Sequence, residues 1–140
     1  MKKLDGLRIV VTRAAHQAEE LAGPLRERGA QVLLLPAIAI APPVDPHALE
    51  QAAAHADEFD WIIFTSANAI AAFVAALGHA PGDFRARVAT VGSATRAAAE
   101  SAGFTVSLMP EKYVAEALVE SFGSQDLAGQ RVLIPSAAVT

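Results

Sequence analysis

The sequence of 140 residues contains no cysteine. Without a thiol, the chain can form no disulfide framework, no thiolate zinc site and no cysteine nucleophile. Aromatic residues make up 6% of the chain, which is too few for the stacking platforms that bind single-stranded nucleic acid. The formal net charge is −4 and the basic residues are dispersed, so the sequence also lacks the basic cluster that neutralises phosphates. The composition therefore argues against a nucleic-acid partner.

Long hydrophobic runs are missing as well. The longest, at residues 32–36 and 61–64, fall far short of the about 20 residues that a membrane span needs. Asp5 and Gly6 stand where a signal peptide would have its apolar stretch. The sequence therefore predicts an untargeted, cytoplasmic protein with no membrane partner.

What the sequence does have is a repeated alternation of short apolar strands and alanine-rich helices. Residues 7–11 and 32–35 are apolar almost throughout, which is typical of strands covered on both faces, and the helical pattern at residues 16–28 between them predicts a parallel βαβ unit. The alternation continues with predicted helices at residues 47–55, 68–77, 95–102 and 114–122, and predicted strands at residues 61–64, 88–91, 105–108 and 132–134. This order indicates an α/β fold with a doubly wound, flavodoxin-like parallel sheet.

One segment interrupts the alternation. Residues 36–46 contain four prolines around an alternating Ala-Ile stretch, which excludes a helix and favours an extended linker or an edge strand. This segment is the candidate domain boundary. Near the other end, the strand at residues 132–134 is followed by too few residues for the helix that a doubly wound domain needs next, so we expect that the sequence is cut at Thr140.

Polar residues follow several predicted strands, at the edge where open α/β sheets bind ligands. The candidate binding residues are Thr12, Ser66, Asn68, Ser93, Thr95 and, after the last strand, Ser136. The helix that follows such a junction offers free N–H groups and a dipole that favour a carboxylate or a phosphate. An N-cap role explains each junction taken singly, whereas the convergence of three junctions favours a binding site. The spacing matches neither a dinucleotide fingerprint nor a P-loop.

Charged and catalytic candidates are few. Arg13 is the cation at the strand edge, and it is either an anion-binding residue or a solvated arginine beside the first helix. The four histidines have no metal-ligand spacing, so we expect surface positions and no metal. Tyr113 either packs against the sheet or extends its hydroxyl towards the cleft. Asp60 precedes a strand, at the wrong end for the site, and the residues alone identify no catalytic group.

Five short sequence motifs occur one after another along the chain. They are Arg-Ile-Val-Val-Thr-Arg at residues 8–13, Leu-Pro-Ala-Ile-Ala-Ile at 35–40, Phe-Asp-Trp-Ile-Ile-Phe-Thr-Ser-Ala-Asn-Ala-Ile at 59–70, Ala-Thr-Val-Gly-Ser-Ala-Thr at 89–95 and Gly-Gln-Arg-Val-Leu-Ile-Pro at 129–135. Their order and spacing resemble the uroporphyrinogen-III synthase family, and the Phe-Thr-Ser and Val-Gly-x-Ala-Thr blocks are the most specific.

The resemblance implies two α/β domains, joined by a two-stranded linker, with the substrate in the cleft between them. On this pattern, residues 1–35 open a discontinuous first domain, residues 36–45 form the outgoing linker, and residues 46–140 form the second domain without its last helix and strand. We therefore expect a fragment that is inactive alone and prone to self-association, cut from a monomeric parent protein.

The resemblance also implies an activity, which is the cyclisation of the linear tetrapyrrole hydroxymethylbilane to uroporphyrinogen III. This lyase reaction of haem biosynthesis loses water, inverts ring D and uses no cofactor or metal. Ser66 and Thr95 match family positions that contact the substrate, Arg13 matches the arginine of the opening Thr-Arg, and the match of Ser136 is less secure. Tyr113 does not match the tyrosine proposed in the family as the acid, so no catalytic acid is assigned.

Two other functions compete with this one. The first is a non-catalytic ligand-sensing domain of the same fold within a regulatory protein. The second is a flavodoxin-like binding module of unrelated function, which the fold pattern alone would support.

Overall fold

The computed structural model describes residues 3–82, 84–112, 114–123 and 125–137. It divides the chain into two compact units, Met1–Pro42 and Pro43–Thr140, and each unit contains one parallel sheet. Tyr113 lies outside the described residues, so both roles considered for it stay open. Within the described part of the chain, no helix is long and apolar enough to cross a membrane.

The first unit is a single βαβ unit. Its elements are β1 at Arg8–Val11, α1 at Ala15–Glu27 and β2 at Gln31–Leu34. The two strands pair in parallel, with Val10 opposite Leu33 and Val11 opposite Leu34. On the face of the sheet that carries Val11, α1 packs closely through Ala18 and Ala22, which are both fully buried.

The other face of this small sheet is open within the first unit. Val10 is 52% exposed and Leu33 is 62% exposed, because successive side chains of a strand alternate between the faces and α1 covers only one of them. The sequence predicts that both faces of β1 and β2 are covered, whereas the described residues cover only the face that packs on α1. Apolar character along a strand indicates which side chains need burial, but it does not say which segment of chain buries them.

The proline-rich segment after β2 forms neither a helix nor a strand. The backbone N–H of Leu35 donates to the carbonyl of Val11 at 2.9 Å, and that of Ala37 donates to the carbonyl of Thr12 at 3.1 Å. The chain therefore follows β1 for a few residues beyond β2 and then leaves it. Of the two alternatives, the structure shows no edge strand at residues 36–46, and the linker stays a prediction.

The second unit continues the alternation of helices and strands. Its elements are α2 at His47–Ala54, a short 3₁₀ helix at Ala56–Glu58, β3 at Trp61–Phe64, α3 at Ala67–Leu77, β4 at Arg87–Thr90, α4 at Ser93–Ser101, β5 at Val106–Leu108, α5 at Ala115–Phe122 and β6 at Val132–Leu133. The four strands are parallel and lie in the order β5-β4-β3-β6. Two strands of this sheet have neighbours on both sides, and β3 is the one whose four residues are all buried.

Two apolar clusters cover the two faces of this sheet. On one face, Phe64 packs with Phe73 of α3 and with Phe104, at ring-centroid distances of 5.6 and 5.3 Å. On the other face, Trp61 meets Phe122 of α5 edge-on, with 4.9 Å between the ring centroids. Helices therefore cover both faces, which confirms the predicted doubly wound parallel sheet.

One boundary differs from its predicted place in a way that matters for the site. The sequence pattern starts the fourth helix at Thr95, whereas α4 starts at Ser93. Gly92 has a φ of 90°, a conformation that glycine adopts easily and other residues avoid. The chain therefore turns from β4 into α4 within two residues.

The amino end of β6 is tied to the amino end of β3 around Asp60. The backbone N–H of Asp60 donates to the carbonyl of Arg131 at 2.9 Å, and the carboxylate of Asp60 accepts from the backbone N–H of Arg131 at 2.8 Å. The guanidinium of Arg131 donates to the carboxylate of Glu58 at 2.8 Å and lies 4.8 Å from the ring centroid of Phe59. Asp60 thus connects two strands at the edge opposite the predicted site.

The hydrogen bond from Arg131 lowers the pKa of Glu58 below its ordinary value. Because the folded-state pKa is the lower one, the stabilisation by this carboxylate is complete above the ordinary Glu pKa of about 4.3 and is lost as the pH falls through the folded-state value. We expect Glu58→Gln to lower the free energy of unfolding by a constant amount above about pH 5, and by less in more acidic solution. Urea unfolding across this pH range measures the difference, with Asp57→Asn as the control. A difference independent of pH would contradict the expectation.

Candidate functional site

The order of the four-stranded sheet reverses at β3. From β3 the chain proceeds through β4 to β5 on one side, and β6 then lies on the other side of β3. The helix α3 packs on one face of the sheet and α5, which leads into β6, packs on the opposite face. At such a reversal the loops at the carboxyl ends of the strands diverge and leave a crevice for ligands. The candidate site is therefore the carboxyl edge of this sheet, formed by residues 65–68, 91–95 and 134–136.

Ser66 caps the helix after β3. Its backbone is extended, with φ −155° and ψ 154°, and its hydroxyl oxygen accepts a hydrogen bond from the N–H of Ala69 at 3.1 Å. The cap explanation therefore holds for Ser66. A hydroxyl that accepts through its oxygen still has its own hydrogen to donate, so capping and ligand binding are compatible here. Asn68 is half-buried in the first turn of the same helix.

The helix after β4 begins without a cap of this kind. Its N-cap residue is Gly92, which has no side chain to accept from the first turn. Ser93 is exposed at the first helical position, and Thr95 is 6% exposed in the first turn. Because the first N–H groups of a helix have no acceptor within it, the start of α4 presents free donors. An N-cap role therefore does not explain the presence of Ser93 and Thr95.

Thr12 and Arg13 lie in the first unit, between β1 and α1. The residue that caps α1 is Ala14 and not Thr12, so capping does not explain this hydroxyl either. The Arg13 guanidinium lies 3.7 Å from the Glu20 carboxylate, and both side chains are well exposed. Such a pair is weak, so Arg13 keeps most of its donor capacity. Beside the start of α1 there is an open cavity of about 490 Å³, lined by residues 14–16 and 36–40.

The remaining predicted positions are exposed. Ser136 is accessible beyond the end of β6. The four histidines are also exposed, as expected. Among the residues that the structure describes, no group of three His, Asp or Glu side chains is placed to hold a metal ion.

The structure thus brings Ser66, Asn68, Ser93, Thr95 and Ser136 to one sheet edge, and it places Thr12 and Arg13 in the separate first unit. One further residue was missed. Thr90 ends β4, is fully buried, and has a hydroxyl with no hydrogen-bond partner in the described part of the chain. The signal that would have found it is a polar residue at the carboxyl end of a buried strand.

Comparison with known proteins identifies the family. A family model described as "Uroporphyrinogen-III synthase HemD" matches residues 19–140. The chain belongs to the uroporphyrinogen-III synthase family. The resemblance of its ordered motifs to this family is thereby confirmed.

Individual relatives agree with this assignment. The chain is 38% identical over 135 residues to a uroporphyrinogen-III synthase of Synechococcus elongatus, and the match covers 94% of the chain and 51% of the relative. It is 27% identical over 129 residues to a putative uroporphyrinogen-III synthase of Methanothermobacter thermautotrophicus, covering 91% of the chain and 51% of the relative. A porphyrin biosynthesis protein of Ruminiclostridium josui is 30% identical over 142 residues, which cover 99% of the chain and 28% of that protein. The chain therefore spans about half the length of two curated synthase relatives.

Ser66 and Ser93 at the carboxyl edge differ in their structural roles, and stability measurements separate them. Ser66→Ala removes the cap of α3 and is expected to lower the free energy of unfolding by about 1 kcal/mol. Ser93→Ala removes no cap and is expected to change that free energy by less than about 0.5 kcal/mol. Urea unfolding of both variants tests this contrast. Equal losses would show that the hydroxyl of Ser93 also has a structural partner.

Proposed function

We propose that the protein containing this chain is a uroporphyrinogen-III synthase. It would cyclise hydroxymethylbilane to uroporphyrinogen III, with loss of water and inversion of ring D, in the cytoplasm and as a monomer. The observation that carries the proposal is the 38% identity over 94% of the chain to a relative that bears this name. The hydrogen-bond donors at the carboxyl edge of the four-stranded sheet support the proposal as well.

The substrate of this reaction carries many carboxylates, and the carboxyl edge offers donors that suit them. The start of α4 has free N–H groups with no side-chain cap, and the positive end of the helix dipole lies at the same place. Ser66 can donate its hydroxyl hydrogen while it caps α3. A polycarboxylate can therefore be held by local donors, although the net charge of the chain is −4.

The proposed substrate contacts include residues of each of the two units. In the second unit they are Ser66 before α3, Asn68 on α3, Ser93 and Thr95 on α4, and Ser136 after β6. In the first unit they are Thr12 and Arg13, whose guanidinium keeps donors for a carboxylate because its pairing with Glu20 is long and exposed.

The reaction depends more on the positioning of the substrate than on a strong nucleophile. Loss of the hydroxyl as water leaves an azafulvene-like cation, and the enzyme must direct the attack on that cation and exclude other encounters. Donors at the helix starts would hold the carboxylate side chains of the substrate and thereby orient its reacting carbon. We assign no acid for the departure of the hydroxyl.

The activity is tested on the whole protein with hydroxymethylbilane, by separating the isomers of the product. We expect the type III isomer, and a product that contains only the spontaneous type I isomer would contradict the proposal. If the type I isomer forms while carboxylate ligands still bind, the ligand-sensing alternative gains support. A polypeptide restricted to these 140 residues is expected to show little or no activity.

A variant at the start of α4 tests the proposed binding site. Thr95→Val removes a hydroxyl at nearly constant shape and is expected to lower kcat/KM about tenfold, because it removes a hydrogen bond to a charged group. Ser101→Ala changes an exposed serine in the last turn of the same helix and serves as the matched control. Equal activity of the two variants would remove Thr95 from the site.

We also propose a domain assignment, in which residues 1–35 open a discontinuous first domain, residues 36–45 form a linker and residues 46–140 belong to the second domain. The support is the open face of the β1–β2 sheet, where Val10 and Leu33 are exposed although apolar. Further chain of the whole protein would cover this face, since parallel sheets are usually covered on both sides.

A substitution on that face tests the domain assignment. In the whole protein, Leu33→Ala is expected to lower the free energy of unfolding by about 2–5 kcal/mol, as for a buried leucine. Val44→Ala is the control, because Val44 is 99% exposed in the linker. A change no larger than that of the control would show that the face stays open.

A further inference from the structure

The hydroxyl of Thr90 is an anomaly of the second unit. The residue is fully buried in register with Phe64, and its hydroxyl has no hydrogen-bond partner among the described residues. A buried polar group without a partner destabilises the folded state, whereas valine has the same shape and no hydroxyl. Packing alone therefore gives no reason for a threonine at this position.

Thr90 lies on the face of the sheet against which α4 packs. Alternation along β4 puts Thr90 on the same face of the sheet as Val88, and Val88 packs in one cluster with Ala99 of α4. Because β4 and β5 are parallel neighbours, α4 must run back along β4. Two strand residues and one helical turn both advance the chain by about 6 Å. The step from Val88 to Thr90 therefore matches the step from Ala99 back to Thr95.

The carboxyl end of β4 and the uncapped start of α4 thus each carry a buried threonine. Thr95 is 6% exposed and shares the sheet-facing side of α4 with Ala99. Gly92 supplies no side-chain acceptor there. An unpartnered buried hydroxyl on the sheet face that α4 covers, together with a helix start whose N–H groups are free, indicates a place whose hydrogen bonds are completed by a ligand.

We propose that Thr90 is a positioning residue for a carboxylate bound at the start of α4. In the bound state, the side chain of Thr95 turns, so that its hydroxyl donates its hydrogen to the carboxylate and its oxygen accepts the hydrogen of the Thr90 hydroxyl, which has no partner among the described residues of the free protein. Each bond in such a chain polarises the next and strengthens it. Only the identity of the carboxylate ligand rests on the proposed synthase function.

The test compares three variants of the whole protein. Thr90→Val removes the hydroxyl, Thr90→Ser keeps it, and Thr105→Val changes an exposed threonine next to β5 as the control. With hydroxymethylbilane, Thr90→Val is expected to raise KM about tenfold and to leave kcat within about twofold, because binding is lost to the same extent in the ground and transition states. Thr90→Ser and the control are expected to keep the KM of the unmodified protein.

Stability supplies a readout that moves in the opposite direction. Thr90→Val is expected to unfold at the same temperature as the unmodified protein or at a higher one, because it removes an unsatisfied hydroxyl. Thr90→Ser is expected to unfold at a lower temperature, because it loses a buried methyl group. A lower unfolding temperature for Thr90→Val would show that the hydroxyl is already satisfied in the free protein, which would overturn the proposal.

Direct binding separates this proposal from the proposed function. Uroporphyrin III, an octacarboxylate, serves as the probe, and its affinity is expected to fall about tenfold in Thr90→Val and to be restored in Thr90→Ser. If the unmodified protein binds the probe but does not cyclise hydroxymethylbilane, the synthase proposal fails and the binding comparison still decides the role of Thr90. Equal affinities of the unmodified protein and Thr90→Val, or no binding by either, would overturn the role of Thr90.

Discussion

The burial of β3 on both faces is the constraint on which the second unit depends. Its four residues alternate between two apolar clusters, so helices must lie on both sides of the sheet. Short parallel strands allow this only if each helix runs back along the sheet. The consequence is chemical as well as structural, because every returning helix starts at the carboxyl ends of the strands and brings its free N–H groups there.

The elements whose local pattern and burial agree were predictable from the sequence. The apolar residues of β3 and the alanine-rich helices α3 and α4 were found within two residues of their observed bounds. The edge that carries Ser66 and Thr95 also followed, because the carboxyl ends of parallel strands meet at one edge. These features depend on periodicity along the chain, which the sequence displays directly.

What escaped prediction depends on contacts that are distant in sequence or on single backbone angles. The open face of Leu33 could not be recognised, because an apolar side chain does not reveal which segment covers it. The early start of α4 depends on the positive φ of Gly92. The isolation of the Thr90 hydroxyl became visible only when its surroundings were known. In each case the local sequence is compatible with more than one environment.

Gly92 also limits how this protein can be made more heat-resistant. Stabilising programmes often place serine or aspartate before a helix that lacks a cap, and α4 is the obvious target. Here the new side chain would be forced into a left-handed backbone conformation, and its oxygen would take the N–H groups that we propose for the ligand. A capping residue at position 92 would therefore combine backbone strain with the loss of the donors that we propose for the ligand.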